Sequence, residues 1–438
     1  MKSAGVSTFR SLGRALRHRN YRLFFAGQSI SLVGTWLTRV ATSWLVYRLT
    51  GSALLLGVVG FAGQIPTFLL APLAGVWVDR TNRHRTLLVT QVLAMIQSAL
   101  LAALTLTHTI TVGLILVLQC CQGLINAIDM PARQSFVVEM IEDRRDLPNA
   151  IALNSSMVNA ARLLGPSIAG VLIAAVGEGY CFTIDAASYV AVIASLAAMK
   201  VTTRLRKEGA RDVVGELVRG FRYAAGSVPI RAILLLLALV SLTGMPYMVL
   251  MPVVASKVLH GGAHTLGFLM AASGVGALAG TLYLASRTSV LGLGRLIAAA
   301  AALFGGGLVA FSRSHTLWIS LIVMLPTGMA MVVQMAASNT VLQTIVDEDK
   351  RGRVMSFYAM AFFGTTPFGS LLAGMLADRF GAPAALLAGG SACLLGALAF
   401  YRALPSIRAA MRPIYMRLGI LPSVAREPAT TVAAPPED

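Results

Sequence analysis

Four charged side chains fall inside apolar runs long enough to cross a bilayer: Arg39, Asp129, Arg162 and Asp185. A charge at the bilayer centre costs about 2.5–3.5 kcal/mol on insertion scales, so each needs a reason to be there. An embedded carboxylate can carry a proton or pair with a cation. An embedded guanidinium can hold an anion, and two of them suit an anionic or polar-rimmed substrate. The plain alternative for each is a structural pair or an end group reaching back to the surface. Asp129 falls late in its run, and Asp185 falls early, near the outer surface. A fifth feature is the charged cluster Gly75-Val76-Trp77-Val78-Asp79-Arg80-Thr81-Asn82-Arg83-His84-Arg85, set between the charge-free runs 53–78 and 86–128. It reads as a tight loop at a membrane face.

These side chains must be positioned by membrane helices. Apolar residues make up 56% of the 438-residue chain and charged residues 12%, which excludes a set of soluble domains. Apolar segments recur at 23–47, 53–78, 87–107, 110–130, 150–176 and 181–199. A polar break at 200–231 contains a candidate amphipathic surface helix near 213–223. A second set follows at 232–255, 265–286, 296–312, 316–341, 354–377 and 383–403. Each approaches the ~20 residues a spanning helix needs. The chain therefore divides into a basic lead (1–22), a six-helix bundle (23–199), a linker (200–231), a second six-helix bundle (232–403) and a tail (404–438) expected to be disordered.

The net charge of +18 does not imply nucleic acid here. Of the 36 Lys and Arg residues, 30 fall in alternate loops that face the cytoplasm if the N-terminus is inside. Four fall on the other side, and the bias predicts an N-in, C-in topology. The halves also repeat. Gly51 and Gly57 recur as Gly261 and Gly267, and Gly165, Gly170 and Gly177 recur as Gly369, Gly374 and Gly381. Parallel six-helix repeats of this kind build one class of transporter.

The G-x-x-x-D-R-x-x-R spacing of Gly75, Asp79, Arg80 and Arg83 resembles the signature of the major facilitator superfamily between its second and third helices. Asn82 stands where that motif often has Gly, a position at which Asn tolerates left-handed geometry. Gly165-Pro166-Ser167-Ile168-Ala169-Gly170 resembles the antiporter motif of exporters in the superfamily, with Ala169-Gly170 in place of Gly-Gly. Asn20-Tyr21-Arg22-Leu23-Phe24, Pro131-Ala132-Arg133-Gln134 and Arg351-Gly352-Arg353-Val354 are similar to the branch holding enterobactin-type siderophore exporters and macrolide efflux proteins.

The resemblance implies an all-α major facilitator fold with twelve spanning helices. It implies that Gly75, Asp79, Arg80, Arg83 and Asp129 latch the two halves on the cytoplasmic side, with Asp79 near the start of helix 11 and Arg83 paired to an acid at the foot of helix 4. Asp129 is the acid expected there. Gly165, Pro166 and Gly170 would let helix 5 slide on helix 8. Helices 1, 4, 7 and 10 would line the path, which selects Gln28, Gln122, Asn126, Tyr247, Met248 and Gln334 beside Arg39 and Arg162. Asp129 and Asp185 are the proton-coupling candidates.

No Lys follows a Gly anywhere, so the chain has no phosphate-binding G-x-x-x-x-G-K-[ST] loop and no direct use of ATP through one. It also lacks H-E-x-x-H, G-x-S-x-G and paired Cys/His ligand sets, so neither an enzyme nor a metal site is expected, and no cofactor. The expectation is a monomeric, proton-coupled exporter of a small hydrophobic or amphipathic compound, such as a drug, siderophore or metabolite, in a bacterial inner membrane. An uptake transporter or a lipid or lysolipid flippase of the same fold is the alternative.

Overall fold

The computed structural model describes residues 14–199, 213–287 and 289–421. Twelve long helices run through it. The first six are α1 (Arg19–Thr50), α2 (Ala53–Asp79), α3 (Arg83–Leu106), α4 (Val112–Met140), α5 (Leu147–Val176) and α6 (Glu178–Ala197). Next come α7 (Val228–Thr243, Tyr247–Val253 and a π-turn at Val254–Val258), α8 (Ala263–Ala285), α9 (Leu293–Ser312) and α10 (Leu317–Ile345). The last two are α11 (Glu348–Ala359, a π-turn at Met360–Gly364, then Thr366–Phe380) and α12 (Ala382–Arg417). Eleven are long and apolar enough to cross a membrane by length and composition. The one below that mark is α1. Its Thr35, Thr38, Arg39, Thr42 and Ser43 follow helical spacing along one face, and that face lines a cavity rather than lipid.

Local chemistry sets the turns. Gly51 closes α1 in the left-handed region at φ 61°, which costs a glycine nothing. Ser52 then caps α2 by accepting from the Leu55 amide at 3.3 Å. Asn82 works in the same way and not as a left-handed turn residue. Its φ is −74°, and its side chain accepts from the Arg85 amide at 3.1 Å to start α3.

The repeat seen in the glycines is also present in the packing. In the first half α1 packs on α6 and α5, α2 on α4, and α3 on α4 and α6. In the second half α7 packs on α12 and α11, α8 on α10, and α9 on α10 and α12. Among the described residues the halves meet most extensively at α5 with α8 and at α2 with α11, and these two pairs exchange under the same repeat.

Some helices outrun their apolar segments. The fourth segment ends at 130, but α4 continues through Pro131 to Met140. A membrane helix tolerates one proline because its neighbours compensate the freed carbonyl. The final helix runs to Arg417, past Pro405 and Pro413, where the tail was expected to begin at 404. Arg417 donates to Asp347 at 3.0 Å, tying the end of α12 to the α10–α11 turn. The hydrogen bond from Lys350, with Arg417 adding to it, holds the Asp347 carboxyl below the usual carboxylate range. The expected surface helix is present as Val213–Gly226. Its Tyr223 ring lies 4.7 Å from the Lys350 ammonium, and its Phe221 meets Phe357 edge-on. Residues 1–13, 200–212 and 422–438 of the lead, linker and tail lie outside the described residues.

Candidate functional site

Between the two bundles lies a cavity of about 2290 Å³. It reaches the end of the molecule that holds the α2–α3 turn, where Arg80, Leu147 and Arg353 rim it. The opposite end is shut by the two inter-bundle pairs. A Cβ added at Gly170 would lie 2.8 Å from the Cα of Gly267, and one added at Gly57 would lie 2.5 Å from the carbonyl oxygen of Ser370 and 3.2 Å from the Cα of Gly374. The glycines that repeat in the sequence are thus the ones that meet: Gly57 with Gly374, and Gly170 with Gly267. Backbones approach this closely only where side chains are absent. The Ser52 hydroxyl also donates to Asp378 at 3.2 Å and the Lys257 ammonium to the Gly51 carbonyl at 3.4 Å, both across the closed end.

The proline of the same motif acts beside this contact. Pro166 lacks an N–H, so the Arg162 carbonyl loses its helical partner. That carbonyl lies against Gly274 of α8, and the Pro166 carbonyl lies against Gly267. Gly165 has a different neighbour. It packs on Trp36 of α1 and leaves room for that indole. The Arg39 guanidinium lies 4.8 Å from the Trp36 ring centroid, a cation–π contact that aims Arg39 along the cavity wall.

Arg162 lies on the wall across from α10, donating to the Met331 sulfur at 3.5 Å. It stands close enough to Arg39 for the two charges to repel. Among the described residues neither guanidinium meets a carboxylate within 4.0 Å. Gln122 donates to Asn126 at 3.2 Å, and both face the cavity, as does Met248. Three other path candidates do not reach it. Gln28 and Gln334 are buried between helices, 3% and 1% exposed. Tyr247 stands behind the wall, its hydroxyl 2.9 Å from Ser273 and beside Arg162. These three are corrected from lining residues to packing residues: their helices line the path, but their side chains leave from other faces.

Asp185 lies deeper than expected, because α6 begins at Glu178 and places it two turns in. It is 2% exposed at the cavity edge. One carboxylate oxygen accepts from Thr38 and from Ser98, each at 2.8 Å. The other is buried with no hydrogen-bond partner among the described residues, in space left by the absent Cβ of Gly34. Asp129 is the opposite case. One oxygen accepts from Thr90 at 2.9 Å and from Gln91 at 2.7 Å, and the other accepts from Arg133. It ties α3 to α4 with both oxygens engaged.

At the mouth, Arg83 pairs with Glu139 and not with Asp129. The extra turns of α4 carry Glu139 to the level of the α2–α3 turn and leave Asp129 inside. Gly75 lies in α2, Asp79 is the last residue of α2, and Arg80 caps it. The Asp79 side chain lies outside the described residues. Both partners of the Arg83–Glu139 pair are mostly buried, at 17% and 18% exposure. Glu139→Ala is expected to cost roughly 1–3 kcal/mol, as for other hydrogen bonds between charged groups. The Arg83→Glu/Glu139→Arg exchange should recover part of it. Thermal unfolding of the purified single and double variants checks this, and an exchange no better than either single change would show that the pair is not coupled.

The cavity is divided in character. Amides cluster on the first bundle, where Gln119 joins Gln122, Asn126 and Asn159. Methionines cluster on the second: Met245, Met248, Met270, Met331, Met335 and Met360. Gln97 and Gln119 were missed by the sequence reading, although an amide at bilayer depth is a legible signal. The π-turn that points Met360, Phe362 and Phe363 inward carries no signature in its composition.

The chain is 27% identical over 362 residues to the staphyloferrin A transporter of Staphylococcus aureus, covering 82% of this chain and 90% of that protein. It is 26% identical over 389 residues to the multidrug efflux pump Tap of Mycolicibacterium fortuitum, covering 86% and 93%. In fold it is similar to a bacterial homologue of the human lysosomal transporter Spinster, solved in an inward-facing, unoccupied conformation. The TM-score is 0.66 at 14% identity, over 93% of this chain and 99% of that one. The family described as transmembrane secretion effector, within the major facilitator superfamily, matches residues 11–417. With two helical bundles closing on one cavity and that match over nearly its whole length, the chain belongs to this family and is a multi-pass secondary transporter of the bacterial inner membrane, not an enzyme.

Proposed function

We propose that the protein exports a small amphipathic compound from the cytoplasm in exchange for protons. The observation that carries this reading is the cavity, open at the basic end of the molecule and shut at the other by glycine-to-glycine contacts. By the charge bias the open end faces the cytoplasm, so the cavity stands ready to load from inside. The G-P-x-x-x-G helix at the shut end and the relative named as a multidrug efflux pump support the outward direction. The two bundles, residues 23–199 and 232–403, rock about the cavity as a monomer, joined by the linker at 200–231. Asp185 carries the proton. Asp129, with both oxygens engaged, is a poorer carrier and holds α3 to α4, while Glu139 braces the mouth with Arg83. Asp79, Arg80 and Gly75 latch that mouth when it closes.

The test is accumulation of macrolides, dyes and siderophores in an efflux-deficient bacterium, with and without a protonophore. The wild type should lower accumulation of at least one compound, and the protonophore should restore it. Asp79→Asn should be made in normal amount and export poorly. Normal export by that variant would remove the latch. Lower accumulation that survives the protonophore would remove the proton. Raised accumulation would reverse the direction, and leaflet-to-leaflet lipid transfer without drug efflux would make the protein a flippase.

A further inference from the structure

The charged groups facing the cavity are unequal in sign. Arg39, Arg80, Arg162 and Arg353 contribute four positive charges, and Asp185 is the one acid among the described lining residues. Among the described residues Asp185 forms no ion pair with Arg39 or Arg162. It is 2% exposed, and its bonded oxygen is taken by Thr38 and Ser98. Among the described residues Arg39 and Arg162 therefore face the same space with no carboxylate within 4.0 Å, and their like charges repel. Water can solvate them while the mouth is open. Once the mouth closes, unpaired charge in a space of low dielectric is costly. The transport cycle requires that closure, so something must enter with negative charge.

The rest of the wall fixes the shape of the ligand. Arg39 and Arg162 stand on the first bundle among the amides Gln119, Gln122 and Asn126. The facing bundle presents Met245, Met248, Met270 and Met335. Thioether side chains adapt to many apolar outlines. We infer that the substrate is an amphipathic anion, its carboxylate or comparable oxyanion held between Arg39 and Arg162 and its apolar part laid on the methionines. Guanidinium groups suit this because they offer a planar fork of donors to two oxygens at once. The inference rests on the proposed function only in taking this cavity as the substrate site, and it is independent of the direction of transport and of coupling.

The full-length protein in nanodiscs of zwitterionic lipid is titrated with three fluorescent probes of one length: 11-(dansylamino)undecanoic acid, its methyl ester and the matching amine. Empty nanodiscs supply the blank. The acid is expected to bind at least about tenfold tighter than the ester, the worth of one charge-assisted hydrogen bond, and the amine weakest. Arg39→Gln/Arg162→Gln should lower the affinity for the acid to that of the ester and leave the ester unchanged. Arg39→Lys/Arg162→Lys, which keeps the charge, should retain the preference and serves if the Gln variant fails to fold. Equal binding of acid and ester by the wild type, or tighter binding of the amine, overturns the inference. So does a preference for the acid that survives the Gln pair. An anion preference in a protein that shows no efflux would leave this site standing and remove the export reading alone.

Discussion

Asp185→Asn is expected to abolish gradient-driven accumulation while leaving substrate exchange in place. A proton moving through about 100 mV supplies about 2.3 kcal/mol, enough for roughly 50-fold accumulation per proton. Without the carrier the ratio should fall to unity. The geometry supports the assignment because Ser and Thr hydroxyls rotate to donate or accept. Thr38 and Ser98 can serve either form of the carboxyl. The unpartnered oxygen, in the space beside Gly34, is where a proton can reside. Asparagine keeps the size and one acceptor, so it imitates the protonated form and should fold. Proteoliposomes loaded with an identified substrate separate the outcomes. Counterflow that persists while an imposed pH gradient drives nothing matches the expectation. Gradient-driven transport by the variant would return proton carriage to another group.

Gly170→Leu is expected to lower export roughly 5- to 150-fold by preventing closure of the end that is shut here. The new side chain meets backbone on α8, Gly267 at 2.8 Å and the Ala263 carbonyl at 2.9 Å, and backbone cannot rotate away. Overpacking of this kind costs about 1–3 kcal/mol, which shifts the closed-to-open equilibrium by roughly 5- to 150-fold. The penalty falls on the closed state alone, because α5 and α8 part when that end opens. Gly374→Leu should act in the same way, since the repeat exchanges the α5–α8 contact with α11–α2. Gly306→Leu is the control, with nothing within 4 Å of its Cβ position. Spin-label distances across this end should lengthen in the first two variants and stay unchanged in the third. Wild-type distances in Gly170→Leu would mean that the contact does not set the equilibrium.

The π-turn in α11 shows why part of the site was not legible. Composition reads residues 354–377 as one apolar span, and the span is there. The extra residue per turn at Met360–Gly364 arises where Gly364 packs on Phe68 of α2 and Phe61 and Phe68 meet Phe368. That contact joins residues about 300 positions apart, and no local window contains it. The Arg83 partner was lost for a related reason. A helix end read from apolar composition stops at Pro131, while the folded helix continues wherever neighbours compensate the proline.

The sequence by itself determined which segments cross the membrane, their division into two repeated sets and the identity of the embedded charges. The cost of exposing charge or open backbone to hydrocarbon is large and local, so it is written in composition and spacing. The repeated glycines belong to this class, although only the structure shows that Gly57 meets Gly374 and Gly170 meets Gly267. The tertiary structure alone decided which face of each helix meets the cavity. It left Gln28, Tyr247 and Gln334 behind the wall, engaged both oxygens of Asp129 and left one oxygen of Asp185 without a partner among the described residues. Helical periodicity fixes which residues share a face, but its rotation toward lipid, neighbour or cavity is set by packing between helices distant in the chain.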